Sequence, residues 1–387
     1  MKIRVQRAIV GICIGNALCL CALSAPVIWV SALARAGWAS LSQTGWLVSG
    51  TLLFCAFGSL STSALASRLN PRVAATTAAA AIVFANLLNM IANIYALSIG
   101  TLLMGLGAGV LVAIVNGAAA RTERPRQTFA LLTAAGMLCV SAMYLVSSGI
   151  IKRFGPAGFF GLFVAFGILA ACIVFWTMPA SPAPASAKAP TVRTGGLTLA
   201  SLIGCVALSL MAMALSPVTV YLMTFGIASG LSTSTMSVAL ALATPLTLVG
   251  VAIVALLGDR VGLLPPLVAS LVIVGASSAV IISGLSPLAF YVALVLFEIA
   301  AGACTPCALG FISHLDPSGR AASAAPGFIL IVAAVGAKLG SVMMGITSFP
   351  AMTALVVFCL SASLLLFITA SQLSGVSRTA RRARPIV

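Results

Sequence analysis

Long apolar segments make up most of the chain, and each is bounded by Gly, Pro, Ser or charged residues. A helix rises about 1.5 Å per residue, so about 20 apolar residues cross the hydrocarbon core of a bilayer. The pattern predicts twelve membrane-spanning helices, near residues 8–31, 43–66, 73–94, 96–119, 128–150, 157–178, 198–222, 233–256, 264–283, 287–311, 322–346 and 350–371. We therefore expect an all-α integral membrane protein.

The composition of the chain removes other classes of protein. Apolar residues make up 61% of the 387 residues and charged residues 6%, whereas a soluble domain has roughly 45–50% and about 25%. Ten cysteines are spread over the whole length, which is not the pattern of a disulfide-rich secreted module. The net charge of +16 would suit a nucleic-acid partner, but the basic residues form short clusters between apolar segments. We expect no nucleic-acid partner.

The distribution of Lys and Arg predicts how the chain crosses the bilayer, because cytoplasmic loops retain positive charge. With a cytoplasmic N-terminus, the cytoplasmic segments hold every Lys and Arg except Arg35, Lys152, Arg153 and Lys338. We predict a multi-pass inner-membrane protein with both termini in the cytoplasm. The basic N-terminus and first apolar segment also resemble a secretory signal, but that segment is about twice the usual length, so we expect it to be retained.

One long interruption divides the chain into two parts. Residues 179–196 are rich in Pro, Ala and Ser and show no helical periodicity, which is typical of a linker. Basic residues then recur at a near-constant offset, with Arg68 and Arg260 lying 192 residues apart. Such repetition predicts two pseudo-symmetric six-helix halves, as in transporters with a site at the membrane midplane. The expected division is an N-terminal half, a cytoplasmic linker and a C-terminal half with a basic tail, at residues 1–178, 179–196 and 197–387.

Two loops carry a resemblance to a known family. Asp259-Arg260-Val261-Gly262 follows span eight, and Ser67-Arg68-Leu69-Asn70-Pro71-Arg72 follows span two. With twelve spans split six and six, the chain resembles the major facilitator superfamily of secondary transporters. The family pattern is Gly-x3-Asp-Arg/Lys-x-Gly-x-Arg/Lys, and the first loop departs from it by having Ser and Asn at its Asp and Gly positions.

The resemblance implies that these loops stabilise one access state of the transporter. The residues to which it assigns this gating role are Arg68, Arg72, Asp259, Arg260 and Gly262. The alternative is that the arginines only fix the orientation of the chain in the membrane.

Two departures separate the chain from standard drug–proton antiporters of that family. Tyr144 and Leu145 stand where the antiporter signature of helix five has Gly-Pro. Helix four has Thr101 and Gly105 where many proton-coupled members carry Arg-x3-Gly. Efflux nevertheless fits the sequence as well as uptake does.

Only Glu298 and Lys338 are ionisable acids or bases deep within a predicted span. They lie about 16 Å and about 12 Å from the outer ends of spans ten and eleven. A charge at the bilayer centre costs about 2.5–3.5 kcal/mol, so such residues usually have a function. Three interpretations stay open. Glu298 couples transport to protons, or Lys338 attracts an anionic substrate while Glu298 neutralises the lysine when the site is empty. The third is that the two side chains form a structural salt bridge.

Neutral polar residues complete the candidate site. Asn16 and Asn116 lie in spans one and four, which the resemblance assigns to the central cavity, and Tyr221 and Tyr291 lie near the outer ends of spans seven and ten. We predict these four as substrate-binding candidates. For each of them the alternative is a role in helix packing or at the membrane interface.

The sequence offers little support for an enzyme or an ATP-driven pump. It contains no Gly-x4-Gly-Lys-Ser/Thr loop, and its one histidine, His314, has no cluster of acids around it. We expect no cofactor and no metal. We predict a monomeric secondary active transporter that moves a small organic solute, anionic or neutral and amphipathic, by alternating access coupled to protons. The alternatives are a multidrug-type or metabolite efflux antiporter and a non-transporting receptor of the same fold.

Overall fold

The computed structural model describes residues 2–65, 69–120, 122, 125–178, 199–261, 264–315, 320–346 and 349–373. These residues form helices and turns and contain no strand. The helices are α1 Lys2–Ser24, α2 Pro26–Arg35, α3 Leu41–Leu65, α4 Pro71–Asn89, α5 Ile94–Ala120, α6 Pro125–Thr177, α7 Leu199–Val220, α8 Leu222–Ala228, α9 Thr233–Ala243, α10 Leu246–Val261, α11 Leu264–Ser283, α12 Pro287–Leu315, α13 Arg320–Ile346 and α14 Phe349–Leu373.

Twelve crossings of a membrane are present in the described part of the chain. Eleven helical segments are long and apolar enough to span a bilayer. One of them, Gln127–Thr177, is a double crossing, because its backbone turns at Gly155 (φ 67°, ψ −165°) just before Pro156. The expected all-α membrane fold is therefore confirmed.

Three of the crossings consist of two helices in sequence. The first is divided at Ala25, before Pro26, and the seventh is divided at Tyr221. The eighth is divided at Thr244 and Pro245, so that α9 and α10 are its two parts. A proline cannot donate a backbone hydrogen bond, and its ring disturbs the preceding turn, which accounts for the breaks at Pro26 and Pro245.

The two ends of the helix bundle differ in their turns. The turns after α2, α8 and α11, and the turn within α6, each contain a glycine with positive φ, a conformation that side chains disfavour. We call this end of the bundle the glycine end. The opposite end, where α1 begins, α6 ends and α7 begins, is called the linker end. The predicted linker, 179–196, lies outside the described residues.

Internal repetition is visible in the packing of each half. A Cβ atom on Gly105 of α5 would meet the carbonyl oxygen of Thr51 on α3, and a Cβ atom on Gly302 of α12 would meet the carbonyl oxygen of Thr247 on α10. Glycine lets each pair of helices approach at the same kind of position, as small residues do between membrane helices. The two halves therefore share a packing motif that the apolar pattern alone did not reveal.

Candidate functional site

A cavity of about 230 Å³ lies between the two halves of the bundle. The first half contributes α1, α2 and α3, and the second half contributes α7, α12 and α13. The described lining is apolar apart from hydroxyl groups, which belong to Thr51, Ser216, Thr219 and Thr305. No charged side chain is among these lining residues.

Glu298 shares a face of α12 with a residue that lines this cavity, although Glu298 is not itself among the lining residues. Tyr291, Glu298 and Thr305 follow one another at seven-residue intervals and so share one face of the helix, and Thr305 lines the cavity. Thr247 of α10 donates a hydrogen bond from its Oγ1 to Oε2 of Glu298 over 2.7 Å. The side chain is partly exposed, so Glu298 is tied to a neighbouring helix and still open on one side.

The close approach of α10 and α12 makes this hydrogen bond possible. Gly302 lies one helical turn beyond Glu298 and packs against the backbone of Thr247. Any side chain at Gly302 would push α10 away from α12. The short distance from the Thr247 hydroxyl to the carboxylate is thus a consequence of a glycine next to the site.

The first half has a neutral counterpart of this arrangement. Thr101 precedes Gly105 by four residues, as Glu298 precedes Gly302. Thr51 donates a hydrogen bond from its Oγ1 to the carbonyl oxygen of Thr101 over 3.2 Å. The corresponding place in the two halves therefore holds a hydroxyl in one and a carboxyl in the other.

Tyr144 of α6 links two helices of the first half. Its hydroxyl donates a hydrogen bond to the carbonyl oxygen of Ser24, the last residue of α1, over 3.2 Å. Tyr144 stands where the antiporter signature has a glycine, and in the structure it is buried between α1 and α6.

Lys338 has a partner other than Glu298 in this conformation. Its Nζ lies 4.1 Å from the centroid of the Trp46 ring, while Glu298 is bonded to Thr247. Trp46 is 65% exposed and is absent from the described lining of the cavity. The prediction that Lys338 recognises a substrate charge stays a prediction, and the ammonium group lies at another surface here.

The four neutral candidates lie in different environments. Asn16 is buried, and its Nδ2 donates to the carbonyl oxygen of Leu132 over 2.8 Å, which joins α1 to α6. Tyr221 is fully buried at the joint between α7 and α8. Tyr291 is half-buried on the Glu298 face of α12, and Asn116 is exposed near the linker end of α5. Asn116 and Tyr291 are thus the two of the four with surface available to a ligand.

The predicted gating loops are described only in part. Arg68 and Gly262 lie outside the described residues, and so do the side chains of Asp259 and Arg260. Arg72 donates a hydrogen bond from its Nε to the carbonyl oxygen of Met178 over 2.8 Å. This bond joins the start of α4 to the end of α6, within the first half.

Contacts between the halves concentrate at two places. Helix α3 packs against α13, where the Ser49 hydroxyl donates to the carbonyl oxygen of Ala334 over 2.7 Å. At the glycine end α6 packs against α9, and Arg35 donates from its Nη1 to the Thr233 hydroxyl over 2.5 Å. Helix α10, the linker-end part of the eighth crossing, packs instead on helices of its own half. The glycine end is therefore closed between α2, α6 and α9.

Comparisons with known proteins agree with this architecture. Solved structures of a nucleoside transporter, NupG, and of a D-xylose–proton symporter superpose with a TM-score of 0.74 each, at 13% and 14% identity. The alignments cover 94% of this chain and 98% and 97% of those chains. A partially occluded, inward-open structure of the xylose transporter XylE from E. coli superposes with a TM-score of 0.73 at 12% identity, covering 94% of this chain and 96% of that one. At such low identity the likeness shows the fold alone.

Sequence comparison identifies the family directly. A comparison with curated proteins finds no match. The sequence model of the Major Facilitator Superfamily, however, matches residues 11–341, which is most of the chain. Together with two repeated halves around a central cavity, this match shows that the chain belongs to the Major Facilitator Superfamily.

Proposed function

We propose that the protein is a proton-coupled secondary transporter that moves a small organic solute across the inner membrane by alternating access. The observation that carries the proposal is the Glu298–Thr247 pair, on the face of α12 that also bears the cavity-lining Thr305. Among the acids of the described spans, Glu298 is the one whose side chain the structure places, and it lies deep within its span. It is our candidate for the group that carries the proton.

Coupling depends on the cost of keeping Glu298 ionised within the membrane. A charged side chain at the bilayer centre costs about 2.5–3.5 kcal/mol on insertion scales, and the hydrogen bond from Thr247 offsets part of that cost. Closing the halves around the cavity removes water from the open side of Glu298. Closure is therefore easier when the carboxyl carries a proton, and this difference links proton movement to solute movement.

The lining of the cavity favours a neutral, mainly apolar solute. Hydroxyl groups can pair with one or two polar atoms of a ligand, but the described lining offers no charge to an anion or a cation. A volume of about 230 Å³ lies below the roughly 300–1,000 Å³ of typical ligand sites. Of the two substrate classes that fit the sequence, we therefore prefer the neutral amphipathic one.

The access state follows from the expected orientation. If the linker end is cytoplasmic, the closed glycine end faces outward. We infer that Arg35 with Thr233 and the α6–α9 contact close the outer entrance in this state. Opening that entrance requires these contacts to break.

A ligand screen followed by a transport assay tests the proposal. Purified protein is heated with a panel of organic anions, cations and neutral amphiphiles, because a ligand that binds the folded state raises its melting temperature. The hits are then offered to liposomes that contain the protein and an internal pH-sensitive dye. We expect neutral hits to move with protons, and Glu298→Gln to abolish the dye signal. If no solute moves under any imposed gradient, transport is refuted and a receptor of the same fold replaces it.

A further inference from the structure

Lys338 lies at the membrane-facing edge of the contact between α3 and α13. Trp46, Leu53 and Phe57 form one exposed stripe of α3, since positions separated by seven and four residues share a helix face. Val48 and Leu52, which line the cavity, lie on another face of the same helix. Because the Lys338 ammonium group lies over the Trp46 ring, it is directed toward lipid.

The level of this pair in the membrane is close to the glycine end. Trp46 is five residues from the start of α3 and Lys338 is eight residues from the end of α13, about 7.5 Å and about 12 Å along the helices. Exposed tryptophans collect at the boundary between hydrocarbon and headgroups, and a lysine side chain can extend toward that boundary. A headgroup is therefore within reach of the ammonium group.

Among the described residues, no carboxylate pairs with Lys338. The chain has four acids: Glu298 is already bonded within the second half, and Glu123, Asp259 and Asp316 lie next to linker-end turns in the sequence. The Trp46 ring attracts the cation but accepts no conventional hydrogen bond, so the three N–H groups of Lys338 need further acceptors. An unpaired ammonium group in a membrane is costly.

We propose that Lys338 and Trp46 form a binding site for the headgroup of an anionic phospholipid in the leaflet at the glycine end. The phosphate oxygens accept hydrogen bonds from the ammonium group, and the Trp46 ring holds that group at the headgroup boundary. Trp46 belongs to the first half and Lys338 to the second. A bound lipid therefore bridges the halves and stabilises the state in which α3 and α13 are packed together. This proposal does not depend on the transport function.

Fluorescence quenching by brominated lipids tests the site directly. The protein is placed in lipid nanodiscs of phosphatidylcholine that contain brominated phosphatidylglycerol or, in parallel, brominated phosphatidylcholine, and Trp fluorescence is recorded. We expect phosphatidylglycerol to quench preferentially, with an about fivefold preference, which corresponds to about 1 kcal/mol per basic residue near the surface. Lys338→Gln should remove the preference and Lys338→Arg should keep it.

Matched controls separate this site from general attraction to a basic protein. Lys152→Gln removes one charge from an exposed helical position of α6 at the same end and should leave the preference unchanged. Trp46→Phe should remove the part of the quenching that prefers phosphatidylglycerol and leave the quenching of the exposed Trp176, while the protein remains folded, as judged by its melting temperature. The proposal is overturned if Lys338→Gln retains the preference, if Lys152→Gln abolishes it equally, or if soluble glycerophosphate displaces the lipid completely, because the site would then recognise free phosphate.

Discussion

The replacement Glu298→Gln separates proton coupling from the other roles of this side chain. Gln has nearly the same volume, and its amide oxygen can accept the 2.7 Å hydrogen bond from Thr247. The α10–α12 contact should therefore survive, and the melting temperature should not fall. What the variant loses is the ability to bind and release a proton.

The expected magnitude follows from the number of carboxyl groups. One carboxyl deep within the described spans implies one proton per transport cycle. A tenfold proton gradient is worth about 1.4 kcal/mol, so wild-type protein in liposomes should accumulate its solute about tenfold. Glu298→Gln should reach a ratio of one while still exchanging labelled solute across the membrane.

The assay measures the final solute ratio and the exchange rate in the same preparation. Retention of about tenfold accumulation by Glu298→Gln would refute the coupling argument. Loss of exchange as well as accumulation, with an unchanged melting temperature, would assign Glu298 to solute binding instead. Thr101→Val serves as the control, because it alters the corresponding place in the other half without removing a carboxyl group.

Three further changes test neighbouring parts of the structure. Thr247→Val leaves the carboxylate without its donor and should cost about 1–3 kcal/mol of stability. In a double-mutant cycle with Glu298→Leu, which removes the acceptor, Thr247→Val should cost much less, and additive losses would argue against the pairing. Gly302→Ala places a methyl group against the backbone of α10 and should lower the stability of the fold by about 1–3 kcal/mol. In the control Gly117→Ala the added methyl group meets open space, so the melting temperature should not fall. Arg35→Ala removes the hydrogen bond to Thr233 at the start of α9. A thiol reagent added at the glycine end should then label an engineered cavity-facing cysteine faster. An unchanged labelling rate would show that Arg35 does not hold this entrance closed.

The sequence predicted the crossings well because their signal is local. Twenty apolar residues bounded by a turn identify a span without knowledge of its neighbours, and the double crossing around Gly155 follows from length in the same way. The two-half architecture was also within reach, since the repetition of Arg68 and Arg260 is a property of the sequence.

The partners of Glu298 and Lys338 could not be predicted because they depend on the rotation of each helix. Their similar depth in the membrane allowed a salt bridge between the two as one interpretation, and depth can be read from residue number. The direction of each side chain is instead set by packing, above all where Gly302 brings Thr247 against α12.

Thr101 in the first half and Glu298 in the second half occupy corresponding positions. This difference between the halves affects the energetics of the transport cycle. Two halves built on one packing motif offer two equivalent places for a titratable group, and this protein uses one of them. The number of protons moved per solute molecule is then set by the side chains at these two positions. If both places held a carboxyl group, the same proton gradient would support an about hundredfold concentration of solute, at the cost of a second proton moved in every cycle.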